Sequence, residues 1–260
     1  MKSIELKKIH KEVGQSIHAM NTIAVSLSLM PENITIPKSL RISWTPKNVN
    51  FSKVISRSYA ERSAIVYAIE SFFEYLSNIS KNDFWNNTQI NFEGNERKAD
   101  KVYNFLAQIP ELEDYQLILA ELACHWRNKI VHLNSNSDLS NKKKGILKKK
   151  KEFIYNNVHH FDVDLALVNF AKNTITLKDA STLITVVLKC AETVDKFFID
   201  EVHKINSSEL LAKFLLNSHF KRIYNQTDIK RKKKQLEMWI STNYPYMNAI
   251  KIQEIIDKKQ

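Results

Sequence analysis

Apolar residues recur at three- and four-residue steps along most of this chain, the spacing that gathers them on one face of an α-helix. Ile4, Ile9, Val13, Ile17, Met20 and Ala24 trace a first helix that stops near Pro31. Residues 31–50 hold Pro31, Pro37 and Pro46 and alternate only loosely, which predicts an extended arm anchored by Trp44. Ile65, Ile69, Phe72, Phe73, Leu76 and Ile79 form one wide stripe across 53–79, and the Asn-rich stretch 80–94 with Gly94 interrupts it. Val102, Phe105, Leu106 and Ile109 mark a short helix stopping at Pro110. The next helix, 112–133, carries Tyr115, Leu119, Leu122, Trp126 and Ile130 on one face, and the polar run Asn134–Asp138 ends it.

Beyond it, Val163–Phe170 and Thr174–Leu177 are the one place where a short strand pair fits the pattern. Asp179, Ala180 and Ser181 open a long helix whose buried face is Leu183, Val187, Leu188, Ala191, Val194, Phe197 and Phe198. Ser207 or Ser208 can cap a helix reaching about 219, with Glu209 in its first turn. A basic helical section, 228–258, breaks near Pro245. The pattern predicts an all-α chain: four or five core helices in 51–205, an N-terminal helix and arm in 1–50, and a helical extension in 206–260.

Composition supports helices over hairpins. Only 3 of 260 residues are glycine, against an average of about 7%, and tight turns favour glycine because it tolerates positive φ. Cys124 and Cys190 lie in apolar helical patterns without metal-ligand spacing, which predicts buried free thiols in a reducing, cytoplasmic setting. No apolar run approaches the roughly 18 residues of a membrane span. The mildly apolar Ile23–Met30 follows a charged stretch and lacks a small-residue cleavage site, so it does not read as a signal peptide. The net charge of +11 suits a polyanionic partner, or a merely basic Lys- and Asn-rich composition.

Candidate chemistry concentrates at the end of the 112–133 helix. On an ideal helix Arg127 and His132 project about 140° apart, separated by about 7.5 Å along the axis. Arg127 falls about 100° to one side of the apolar stripe and His132 about 120° to the other, so both rim the face that is not core. Glu121, His125, Asn128 and His132 form a polar ladder at i, i+4, i+7 and i+11 on that face. Glu121 is placed to bond His125, and Asn128 to bond His132, one turn away in each case. The plain alternative is a solvated polar face. Glu61, Arg62 and Glu70 lie on the other long helix, where one carboxylate could orient Arg127.

The segment Arg127–His132, an Arg-Asn-x3-His string at a helix end, resembles the Arg-x4–6-His motif of HEPN domains, in which a polar residue directly follows the arginine. The resemblance covers residues 51–205 at most, in helix order and motif position. It implies a HEPN-like bundle and a metal-independent endoribonuclease with no cofactor, usually a dimer whose two motifs form a composite cleft. Many such enzymes are toxins or antiviral-defence effectors, so an antitoxin or sensor protein is a further possible partner. Arg127 would hold the phosphate and His132 act as general base or acid, with Asn128 orienting His132 or the phosphate and His125 and Glu121 in support. The diverging directions of Arg127 and His132 favour a homodimer that brings Arg127 of one chain to His132 of the other. The rival expectations are a HEPN-like module that grips RNA or a nucleotide without cutting it, and a helical partner of a separate enzyme.

Lys129 and the run of Lys142, Lys143, Lys144, Lys148, Lys149, Lys150 and Lys151 are candidate RNA contacts. That run is equally readable as a solvated, disordered loop. Arg231, in the cluster Lys230–Lys234, precedes Trp239, Tyr244 and Tyr246, which would either stack on bases or fill core. His159, His160 and Asp162 show no metal-ligand pattern and read as surface.

Overall fold

The structure is a computed structural model that describes residues 1–85, 92, 96–132 and 135–257. Among these residues it is entirely helical, with twelve α-helices, one 3-10 turn at Lys38–Leu40 and no strand. Most of the Asn-rich break at 80–94, Gly94 among it, lies outside the described residues, as does Asn134.

Four long helices build the centre: α1 (Ile4–Leu29), α2 (Val49–Ser80), α4 (Asp114–Val131) and α8 (Leu177–Lys204), with α3 (Lys98–Leu106) against α4. α1 runs along α2 and also touches α8, while α4 packs against α2, α3 and α8. The α2 stripe is fully buried as the periodicity predicts. On α1, which Ser3 caps by accepting from Leu6 N, Leu6 takes the inward place and Ile4 is exposed. Ser3 N also donates to Asp195 Oδ2 at 3.1 Å, and Tyr75 Oη donates to Ala191 O at 2.9 Å, so buried polar contacts tie α1 and α2 to α8. In the 31–48 segment Trp44 is half-buried and outside the core cluster, so it is no anchor to the bundle.

The expected strand pair is instead α7 (Val163–Lys172) followed by the start of α8. Capping decides it. Asp162 accepts from Leu165 N at the start of α7, and Asn173 closes it in the left-handed region at φ 54°. Thr176 and Asp179 then cap α8 reciprocally. Val163, Ala166 and Phe170 are buried at helical spacing, while Leu165, which a strand would align with Val163, is exposed.

Asn206, rather than Ser207 or Ser208, caps α9 (Ser207–Leu215) through Glu209 N. That helix does not reach 219, because Asn217 starts α10 (Ser218–Tyr224) by accepting from His219 N and Phe220 N. α11 (Ile229–Asn243) and α12 (Ala249–Asp257) flank the break at Pro245. Tyr246 is buried against Phe198, and Tyr244 packs edge-on to Phe84, so both are packing residues joining the C-terminal helices to the bundle. Cys124 and Cys190 are buried free thiols; burial pushes Cys190 up to about 12 and Cys124 higher still, which leaves both unreactive.

Candidate functional site

Helix α4 is the central element, and its surroundings decide which polar residues reach solvent. From Leu117 to Trp126 it is buried on every side. Glu121 and His125 are therefore interior, at 2% and 6% exposure, and not on an open face. That half of the ladder is core, and not the non-core face that its spacing predicts. Part of the cover is α5 (Asn141–Lys149) and part is the segment holding Ser137, neither of which a helical wheel drawn for α4 alone reveals.

The lysine run accounts for the α5 part of the cover. Ser140 caps α5 and accepts from Lys143 N, and Lys150 links it to α6 (Lys151–Asn157), so the run is helical rather than a disordered loop. Lys143 Nζ reaches Glu121 Oε2 at 2.7 Å and lies 3.4 Å from the centre of the Tyr103 ring. Lys144 pairs with Asp138, Lys150 with Glu113 and Lys151 with Asp164. Lys142, Lys148 and Lys149 are exposed. Lys129 donates to Phe170 O at 3.0 Å and sits over that ring, and partial burial lowers its pKa.

The last turn of α4 emerges from the core at Arg127. Its Nε and Nη2 each lie 2.5 Å from Glu70 Oε1 on α2, and Glu70 Oε2 lies 3.3 Å from Lys98 Nζ. With the Arg127 side chain 14% exposed, this charge-assisted contact fixes the guanidinium plane. Of the three acidic or basic residues singled out on α2, Glu70 is thus the one that meets Arg127. Glu61 instead pairs with Arg57 at 3.0 Å, and burial raises its pKa.

The remaining Arg127 nitrogen, Nη1, donates to Asn128 Oδ1 at 3.2 Å and lies 3.4 Å from His132 Nε2. The 140° divergence of the ideal helix does not apply, because His132 has left the helix. It is the C-cap residue, extended at φ −118° and ψ 101°, with its N–H still donating to Asn128 O. Its imidazole is exposed and returns to Arg127 within the same chain.

Behind this trio runs a continuous polar relay. Asn128 Nδ2 donates to Ser137 Oγ at 3.2 Å, and His125 Nδ1 lies 2.5 Å from the same oxygen. Asn128 therefore turns its side chain to Arg127 and Ser137, and not to His132 as its spacing suggests. His125 Nε2 is 3.4 Å from Glu121 Oε1, within ion-pair range but off hydrogen-bond geometry. Sequence reasoning missed Ser137, which it took as part of the polar helix stop. The only signal was a short hydroxyl in a loop that must double back over the helix end. Among the described residues no group of three or more His, Cys, Asp or Glu is arranged to hold a metal ion, and His159 and His160 are exposed. Nor is any helix among them long and apolar enough to cross a membrane.

The arrangement presents a fixed guanidinium, an amide and an exposed imidazole on one helix end. Such a set can grip a phosphodiester and move a proton beside it. Among known proteins, no family model, no curated protein and no solved structure matches this chain.

Proposed function

We propose that this chain is a HEPN-like endoribonuclease that cleaves RNA by attack of the 2′-hydroxyl on the adjacent phosphate. One observation carries the reading: Asn128 Oδ1 and His132 Nε2 lie within 3.4 Å of Arg127 Nη1 at one helix end. RNA brings its own nucleophile, so the protein needs only to hold the phosphate and manage protons. Arg127 stabilises charge on the phosphoryl oxygens, held in plane by Glu70. His132 takes the 2′-hydroxyl proton as the 2′-oxygen bonds to phosphorus and the bond to the 5′-oxygen breaks. The site's other imidazole, His125, is buried, so the leaving oxygen takes its proton from water. The products are a 2′,3′-cyclic phosphate and a 5′-hydroxyl, and no step calls for a metal ion. A toxin or defence role, with an antitoxin or sensor partner, rests on the motif resemblance alone.

Incubating the purified protein with single-stranded RNA in EDTA tests this directly. Cleavage to cyclic-phosphate ends, lost in Arg127→Ala, is the expected result. Binding without products would favour the non-cleaving RNA module, and neither binding nor cleavage would end both readings. Glu70→Gln is a finer test. It keeps the shape but removes the charge that fixes Arg127, so kcat should fall by about ten- to a hundredfold with KM nearly unchanged. An unchanged kcat would show that Glu70 does not position the guanidinium.

A further inference from the structure

A second site of different character lies between α10 and α11, away from the α4 helix end. It is an open cleft of about 520 Å³, inside the roughly 300–1,000 Å³ range of small-ligand sites. Arg222 and Arg231 stand on its walls, both exposed, with Arg222 Nη2 lying 3.0 Å from His219 Nδ1. No Asp or Glu is among the described residues that line it. Trp239 forms part of the wall. Its indole is braced by Phe214, Phe220 and Tyr244, with ring centres 4.9–5.6 Å away, yet it remains partly exposed. The exposed part of such a rigidly backed indole offers a planar ring a surface to pack on. Two glutamines complete the cleft. Gln226 donates Nε2 to Gln235 Oε1 at 2.8 Å, which leaves Gln226 Oε1 buried without a partner. The two amides put further donors and acceptors on the cleft wall.

We infer that this cleft binds one nucleotide, with the phosphate held by Arg222 and Arg231 and the base laid against Trp239 beside the Gln226–Gln235 pair. Cations for the phosphate, a braced aromatic ring for the base and amides for its edge are contacts that suit a nucleotide. The nucleotide is either free or one unit of a single strand, and the chemistry is shared. The cleft does not depend on the cleavage reading, since it would bind whether or not Arg127 and His132 cut RNA.

The test uses the whole 260-residue chain carrying His132→Ala, in which RNA cleavage is slowed. AMP is titrated by calorimetry and a fluorescein-labelled single-stranded 12-mer RNA by anisotropy. Arg222→Ala/Arg231→Ala should weaken at least one probe by about tenfold or more and flatten the RNA salt dependence. Lys230→Ala/Lys234→Ala removes the same charge outside the cleft wall and should weaken it far less. Trp239→Phe, which keeps the aromatic packing, should weaken the same probe severalfold. Loss of AMP binding assigns the cleft to a free nucleotide; loss of RNA binding with AMP inert assigns it to a strand. If the arginine pair and the lysine pair weaken both probes equally, or neither probe binds, the inference is wrong.

Discussion

His132→Ala is expected to slow RNA cleavage by about 10²- to 10⁴-fold, the usual contribution of a positioned general base, while RNA affinity changes little. The side chain is exposed at the C-cap of α4, and its one described side-chain contact is Arg127 Nη1 at 3.4 Å. Removing it opens no cavity and strands no buried partner, so the thermal midpoint should stay close to that of the wild type. Phosphate contact remains with Arg127, which Glu70 holds independently of His132. The cleaner comparison is therefore with His132 and not Arg127, whose loss would also leave Glu70 facing Lys98 alone. Single-turnover kinetics on a short RNA check the expectation. A drop below about tenfold would remove His132 from the proton transfer and, with it, the proposed chemistry.

How much of this was legible beforehand follows from what a helical pattern contains. The stripe from Ile65 to Ile79 is so wide and regular that α2 could only be a core helix, and it is buried throughout. The 163–177 segment defeated the same reasoning, because its apolar run is short and capping by Asp162, Asn173 and Thr176 decides its form. The polar ladder on α4 was visible as a pattern, but not its burial. Whether Glu121 and His125 face water depends on what folds over them: Lys143 of α5 meets Glu121, and Ser137 meets His125. A lysine-rich helix read in isolation looks like a solvated or RNA-facing strip. Ser137 and the return of His132 depend on backbone that has left the helix, where spacing no longer sets direction. Glu70 lay in between: its sequence position allowed the contact with Arg127, and the approach of α2 to α4 selects it over Glu61.

The return of His132 to Arg127 changes what mixing experiments should show. Divergence on an ideal helix favours a site shared between two chains. The two side chains meet in one chain instead, so that particular reason for a homodimer falls away. Co-expression of Arg127→Ala with His132→Ala separates the cases. If each site draws both residues from one chain, every mixed assembly contains only broken sites. Activity should then stay at the level of the single variants. If the sites were shared across a two-fold axis, a mixed dimer would carry one intact pair, Arg127 from one chain and His132 from the other. Random pairing would then restore about a quarter of wild-type activity. The expected result is no recovery, and it holds whether the protein is a monomer or a dimer built through another surface. Recovery near a quarter would mean that His132 swings away from Arg127 in the working enzyme and serves the partner's phosphate.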